Sequence, residues 1–232
     1  MKQSQAKKRD NAMTNKILMG LIALVLGLLF LEILIVHSKN EQQKNASNQV
    51  QTARIMANGD LLYHDALYMS ALQADGSYDF TENFTYVKPW LKQADLVLGD
   101  FEGTVNPDYP LSGYPLFNAP QSVTAAIKDA GYDVMDLAHN HILDSGLEGA
   151  FTTADAFKKV GIDPIGVYEK PVRDKAPLLI KNVNGIKVAI LSYAYGYNGL
   201  ESNLTDKEVA DHLSNLDEKR MKSEIQRAEK EA

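Results

Sequence analysis

Gly131-Tyr132-Asp133-Val134-Met135-Asp136-Leu137-Ala138-His139-Asn140-His141-Ile142-Leu143-Asp144-Ser145-Gly146 decides how the rest of the chain is read. The apolar run from Val134 to Ala138 has the composition of a short buried strand. It stops abruptly at His139-Asn140-His141, with Asp144 and Gly146 close behind. Open α/β sheets place ligand sites at the carboxyl ends of such strands. Amide oxygen, imidazole nitrogen and carboxylate are also ligands for hard and borderline metals. A plain turn, using Asn and Asp for local hydrogen bonds, is the competing reading of this stretch taken alone.

The segments on either side repeat one rhythm. Arg54–Asn58 reads as a strand ending at Gly59-Asp60, and Asp65–Gln73 as a helix. Asn83–Gln93 carries Phe84, Val87, Trp90 and Leu91 at helical spacing. Ala94–Leu98 is a strand ending at Gly99-Asp100-Phe101-Glu102-Gly103. The loop from Asn106 to Pro120 holds Pro107, Pro110, Gly113 and Pro115 and is placed to cover a site. Gln121–Ala130 is a helix between Pro120 and Gly131, Gly146–Val160 a helix closed by Gly161, and Ile162–Gly166 a strand. Strands alternating with helices predict a parallel sheet covered by helices. Asn184-Gly185 between Ala176–Val183 and Ile186–Tyr193 predicts a hairpin. Thr205 with Glu208 is a capping box opening one charged helix over 205–230, with a narrow stripe of Leu213, Leu216, Met221 and Ile225.

Charge and hydropathy divide the first 52 residues from the rest. Lys2, Lys7, Lys8, Arg9 and Lys16 against Asp10 give residues 1–16 a charge of +4, leaving −10 on the remainder of a −6 chain. So acidic a body argues against a nucleic-acid partner. Ile17–Val36 is apolar apart from Glu32, and 20 residues at about 1.5 Å each span a bilayer's hydrocarbon core. The basic flank predicts a cytoplasmic tail (1–16), a transmembrane signal-anchor (17–36), a polar linker (37–52) and an external domain (53–232). The alternative is a cleavable signal peptide, whose apolar region is usually shorter and followed by small residues. The absence of cysteine excludes disulfides, thiol chemistry and Cys-ligated zinc.

Three successive strands thus end in polar clusters: Gly59-Asp60 with His64 beyond it, Asp100 with Glu102, and His139-Asn140-His141. In a parallel sheet these ends share one edge. Carboxylates, Asn and His around one point suit Mn²⁺, Mg²⁺, Fe or Zn²⁺, and two such ions can clamp a phosphoryl group and activate water. His64 reads equally as a ligand and as a helix-surface residue.

Gly-Asp-Leu-Leu-Tyr-His (59–64), Leu-Gly-Asp-Phe-Glu-Gly-Thr-Val (98–105) and Ala-His-Asn-His-Ile-Leu-Asp-Ser-Gly (138–146) resemble the bacterial capsule-synthesis CapA family. That family is tied to poly-γ-glutamate, and its fold is similar to the calcineurin-like metallophosphatases. The resemblance implies an α/β domain corresponding to the N-terminal half of a metallophosphatase-like αββα sandwich. It implies metal ligation by Asp60, Asp100, Glu102 and Asn140, holding one divalent ion or two. It implies acid–base catalysis by His141, with Asp144 orienting the imidazole. Two departures accompany it. His139 stands where the family usually has Asn. Family members also continue into further histidine motifs, whereas this chain has only His37, His64, His139, His141 and His212. The expectation is therefore a chain lacking the C-terminal half of the sandwich.

Three functions follow as expectations. One is a membrane-anchored, metal-dependent hydrolase or transferase of the cell envelope, active if the later ligands are supplied. Another is a non-catalytic accessory subunit partnering capsule or polyglutamate synthase subunits in the bilayer. The last is an inactive, shortened family member.

Overall fold

The structure, a computed structural model, describes residues 19, 27–40, 50–170 and 176–232. Contacts divide the chain into two compact units, Met1–Val50 and Gln51–Ala232.

In the first unit, residues 27–40 form helix α1, and its large apolar side chains from Leu28 to Val36 are exposed. Residues 37–40, the first of the expected polar linker, continue the helix. The basic tail, most of the apolar run before residue 27 and linker residues 41–49 lie outside the described residues. Among the described residues no helix is long and apolar enough to cross a membrane.

The second unit is built on four parallel strands: β1 (Ile55–Asn58), β2 (Leu96–Asp100), β3 (Val134–Asp136) and β4 (Asp163–Ile165). They lie side by side in chain order. Right-handed crossovers between strands laid down in unbroken order put every connecting helix on the same face. The packing follows that rule. Val97 and Met135 point into a core with Val123, Ile127 and Ala130 of α4 (Ser122–Ala130) and Ala150, Ala154 and Phe157 of α5 (Gly146–Lys159). The alternate residues Leu96, Leu98 and Val134 face the other way. There they meet Leu179, Val183, Val188 and Ile190 of the antiparallel hairpin β5 (Leu179–Val183) and β6 (Ile186–Ile190). The layers are helix, parallel sheet, hairpin. This explains the unbroken apolar runs of β2 and β3, which are buried on both faces. Each fully buried Val, Leu or Ile contributes roughly 1.5–3 kcal/mol.

The expected hairpin turn is present: Asn184 and Gly185 have φ of 53° and 86°, the left-handed pair that a two-residue turn needs. A second glycine works by its size. A Cβ on Gly99 would stand 2.7 Å from the Tyr132 ring, which packs across the middle of β2.

Two expected helices are corrected. The single helix over 83–93 is a 3-10 turn, Thr81–Phe84, then a separate short helix α3, Lys88–Leu91, after α2 (Asp65–Ala71). Pro89 has no N–H for an i−4 bond, so the helix restarts with proline in its first turn. Phe84 and Leu91 are buried, while Val87 and Trp90 are exposed.

The charged helix over 205–230 is also two: α6 (Asp206–His212) and α7 (Glu218–Glu231). The capping box is formed as expected. The helix stops because Leu213 is fully buried in extended backbone, bridging to Val167 while Asn215 bridges to Ala194. Ser214 N–H donates to Gly166 O (3.0 Å) and Ala194 N–H to Ser214 O (2.6 Å). This short extended segment therefore ties the chain after β4 to the chain after β6. Asp217 then caps α7 by accepting from Arg220 N–H at 2.7 Å.

Candidate functional site: the strand ends

The register of the parallel sheet brings the three polar strand exits together. Asn58 pairs with Gly99, and Asp100 with Asp136. Backbone bonds lace the exits: Leu61 N–H donates to Asp100 O (2.7 Å), Phe101 N–H to Asp136 O (3.0 Å) and Glu102 N–H to Leu61 O (3.3 Å). Asp60 is thereby held close enough for its charge to act on both Asp100 and Glu102. A Cβ on Gly59 would lie 3.6 Å from Asp100 Cβ, an ordinary van der Waals contact, so Gly59 sits directly beside that carboxylate.

Crowded, half-buried carboxylates resist ionisation. Burial first, then the charges of Asp136 and Asp60, push Asp100 up to about 7. Glu102 is raised by burial and by Asp60, with the His141 imidazole opposing. Asp136 is raised by burial, opposed by hydrogen bonds from Ser192 Oγ and the Ala138 N–H. Oδ1 of Asp100 is buried without a hydrogen-bond partner.

His141 is fixed from two sides. Its Nδ1 lies 2.8 Å from Asp144 Oδ2, and its Nε2 faces Glu102 Oε1 at 3.8 Å. The Asp144 side chain is only 1% exposed, and the same Oδ2 accepts from Phe117 N–H at 2.6 Å. Burial raises Asp144, and the Phe117 and His141 hydrogen bonds oppose the rise. Phe117 packs edge-on against the imidazole, with centroids 4.8 Å apart. The loop from Asn106 to Pro120 thus reaches the site, as expected. A buried network anchors it: Asn118 accepts from Asn106 N–H and donates to Asn106 O, and Thr104 Oγ1 accepts from Ser145 Oγ.

The remaining residues of the motifs divide by role. His64 is a helix cap, its Nδ1 accepting from Asp65 N–H at 2.9 Å. His139 is buried, and burial pushes it down to about 3. Its neutral Nδ1 accepts from His141 N–H at 3.1 Å, a structural bond that shapes the turn. Asn140 stands apart from the carboxylates in its bonding: its Nδ2 donates to Asn198 Oδ1 at 3.2 Å. A cleft of about 600 Å³ beside it is lined by His139, Asn140, Tyr195 and Asn198.

Sequence reasoning missed Asp136, Ser192, Phe117 and Asn198. Asp136 had a signal, an acidic residue inside an apolar strand. Asn198 had one too, since Asn198-Gly199 repeats the left-handed Asn-Gly pair of the hairpin, with φ of 55° and 82°. Among the described residues, no group of three or more His, Asp or Glu side chains is gathered in an arrangement that would hold a metal ion.

Comparison with known proteins adds the lineage. The profile of the bacterial capsule synthesis protein PGA_cap matches residues 54–232. A capsule biosynthesis protein CapA of Bacillus anthracis is 35% identical over 115 residues, covering 47% of this chain and 28% of that protein. A PGA biosynthesis protein CapA of Bacillus subtilis is 25% identical over 189 residues, covering 80% of this chain and 48% of that protein. An uncharacterised protein of Sinorhizobium fredii is 28% identical over 162 residues, covering 66% of this chain and 32% of that protein. The chain thus spans less than half the length of these relatives. With the three strand-end motifs inside the matched segment, the chain belongs to the bacterial capsule synthesis (PGA_cap) family.

Proposed function

We propose that this chain serves the synthesis of a bacterial capsule polymer of the poly-γ-glutamate type, as a membrane-anchored domain whose strand ends hold a divalent cation. Family membership and the roles carried in the names of the two Bacillus relatives support the process. The apolar run Ile17–Val36 behind a basic tail supports the anchor, with a cytoplasmic N-terminus and an external domain.

The observation that carries the cation reading is Asp100 Oδ1, buried and unpaired, on a carboxylate that feels the charges of Asp136, Asp60 and Glu102. Such a donor set fits a hard divalent ion, Mn²⁺, Mg²⁺, Fe or Zn²⁺, because a cation would relieve both the mutual repulsion and the unsatisfied oxygen. Asp60, Asp100, Glu102 and Asn140 would hold one ion or two. When bound, the ion supplies a Lewis acid for a phosphoryl oxygen and a water of lowered pKa. Asp144 holds the His141 ring through Nδ1, which presents Nε2 as the atom that takes or gives a proton. Phe117 walls the imidazole off from water on one side. The reaction class supported is hydrolysis or transfer at a phosphoester. The test is Mn²⁺-dependent turnover of a simple phosphomonoester by the full chain in mild detergent. Asp60→Ala and His141→Ala each abolish it on this reading; unchanged turnover refutes it.

A second reading, a non-catalytic subunit that organises synthase partners in the membrane, is favoured by the lack of a ready three-residue ligand group among the described residues. It predicts copurification of a membrane partner that a chelator does not disturb.

A further inference from the structure

We propose that the outer face of α3, made of Tyr86, Val87 and Trp90, docks into the headgroup layer of the bilayer that anchors this chain, with the strand-end site turned away from the lipid. This rests on the membrane-anchor reading above. Trp90 follows Tyr86 by four residues and Val87 by three, and Thr85 and Val87 already have helical backbone, so the three side chains share one face. They are 88%, 45% and 66% exposed for Tyr86, Val87 and Trp90. The opposite face is spent inside, where Phe84 and Leu91 are buried in the core. The outer face is therefore apolar surface that the domain itself leaves uncovered.

The chemistry of the face suits a lipid headgroup layer. Trp and Tyr combine an apolar ring with one polar handle, and they concentrate where hydrocarbon meets water. Lys92 is exposed two residues beyond Trp90. A lysine so placed lays its stem along apolar surface and lifts its ammonium toward phosphate. Lys88 is paired with Asp129, so its charge is locally offset. Apolar and aromatic contact, rather than net charge, therefore carries the docking, which suits a domain whose overall charge is acidic. An exposed tryptophan is also a common anchor for a protein partner. Where the chain enters the domain decides for lipid.

The entry is bonded directly to the end of α3. Arg54 Nη1 donates to Gln93 O at 3.2 Å, and Gln93 Nε2 donates to Pro89 O at 3.1 Å. Arg54 N–H also donates to Asp95 Oδ2 at 2.8 Å. On the hairpin side, Asn184 Nδ2 donates to Thr52 O at 3.0 Å. Arg54 follows Val36, the last residue of the apolar run, by 18 residues. Even a fully extended chain of that length reaches no more than about 65 Å. So short a tether keeps the face at a high effective concentration near the bilayer, where a weak contact suffices. The parallel strands then run away from this end. β1 and β2 start beside it at Ile55 and Leu96 and finish at Asn58 and Asp100. Lipid contact at α3 thus points the strand-end site outward.

Trp90 is the sole tryptophan of the chain, so its fluorescence reads the contact directly. The full chain is reconstituted into vesicles of mixed phosphatidylcholine and phosphatidylglycerol, with or without bromine near the headgroup end of the acyl chains. Trp90 loses most of its emission in the brominated vesicles. In the double variant Trp90→Phe, Tyr195→Trp the indole stands at the exposed strand-end cleft instead, and bromine leaves its emission unchanged. Trp90 emission that bromine does not change, in a chain that stays with the vesicles through an alkaline carbonate wash, overturns the docking and leaves the anchor standing. The face is then open to a protein partner. Equal quenching of the indoles at positions 90 and 195 also overturns the proposal, because the site would not face away from the lipid. A chain stripped from the vesicles by carbonate overturns the anchor reading and this proposal with it.

Discussion

Asp100→Asn should make the metal-free protein more stable at neutral pH and less stable relative to wild type once Mn²⁺ is added. In the fold Asp100 is raised from 3.8 to about 7, by burial first and by Asp136 and Asp60 next. The folded state therefore binds more protons than the unfolded state between those values, and stability falls as pH rises through the window. At about 1.4 kcal/mol per tenfold change in proton affinity, the ceiling is about 4 kcal/mol. Asp100 keeps partial contact with solvent, and screening brings the expected gain to about 2 kcal/mol. Asparagine removes the charge and offers an NH₂ donor to Asp60 or Asp136. The assay is urea unfolding of the full chain in mild detergent with a chelator, at about pH 3, below the unfolded value, and at about pH 8. The variant and wild type should coincide at the lower pH and differ by about 2 kcal/mol at the higher one, the variant being the more stable. A variant less stable than wild type at pH 8, or a difference that does not change with pH, refutes the reasoning.

Other consequences are as direct. Asp144→Ala leaves Phe117 N–H and His141 Nδ1 without their shared acceptor and should cost about 2 kcal/mol in the same unfolding assay. Gly99→Ala drives a methyl group into the Tyr132 ring and the Met135 methyl and should lose about 1–3 kcal/mol, seen as a lower midpoint in urea. Thr205→Ala deletes the capping box of α6, an effect of about 1 kcal/mol confined to that helix and read as faster amide exchange in residues 206–212.

The parallel sheet was legible because β2 and β3 are buried on both faces and each ends in a polar cluster, a pattern with few other readings. The hairpin was legible from Asn184-Gly185, since that pair encodes the left-handed turn by itself. The breaks at Val87 and at Leu213 were harder to see. Pro89 marks the first, but a first-turn proline also suits a longer helix. The second depends on Leu213 pairing with Val167 across the fold, which no local pattern carries. The site divides the same way. Asp60, Asp100, Glu102 and His141 lie at strand exits, so topology alone brings them to one edge. Asn198 and Phe117 arrive from loops whose paths are set by buried polar anchors, and the role of His64 as a cap depends on its rotamer.

The central claim is that the strand-end carboxylates and Asn140 form a cation site. Its most direct test is an anomalous-scattering map of crystals of the full chain grown with Mn²⁺. The account predicts a peak bounded by Asp60, Asp100, Glu102 and Asn140 Oδ1, with His141 beside it. A map with no peak among these residues, or with Mn²⁺ bound only elsewhere, would contradict it.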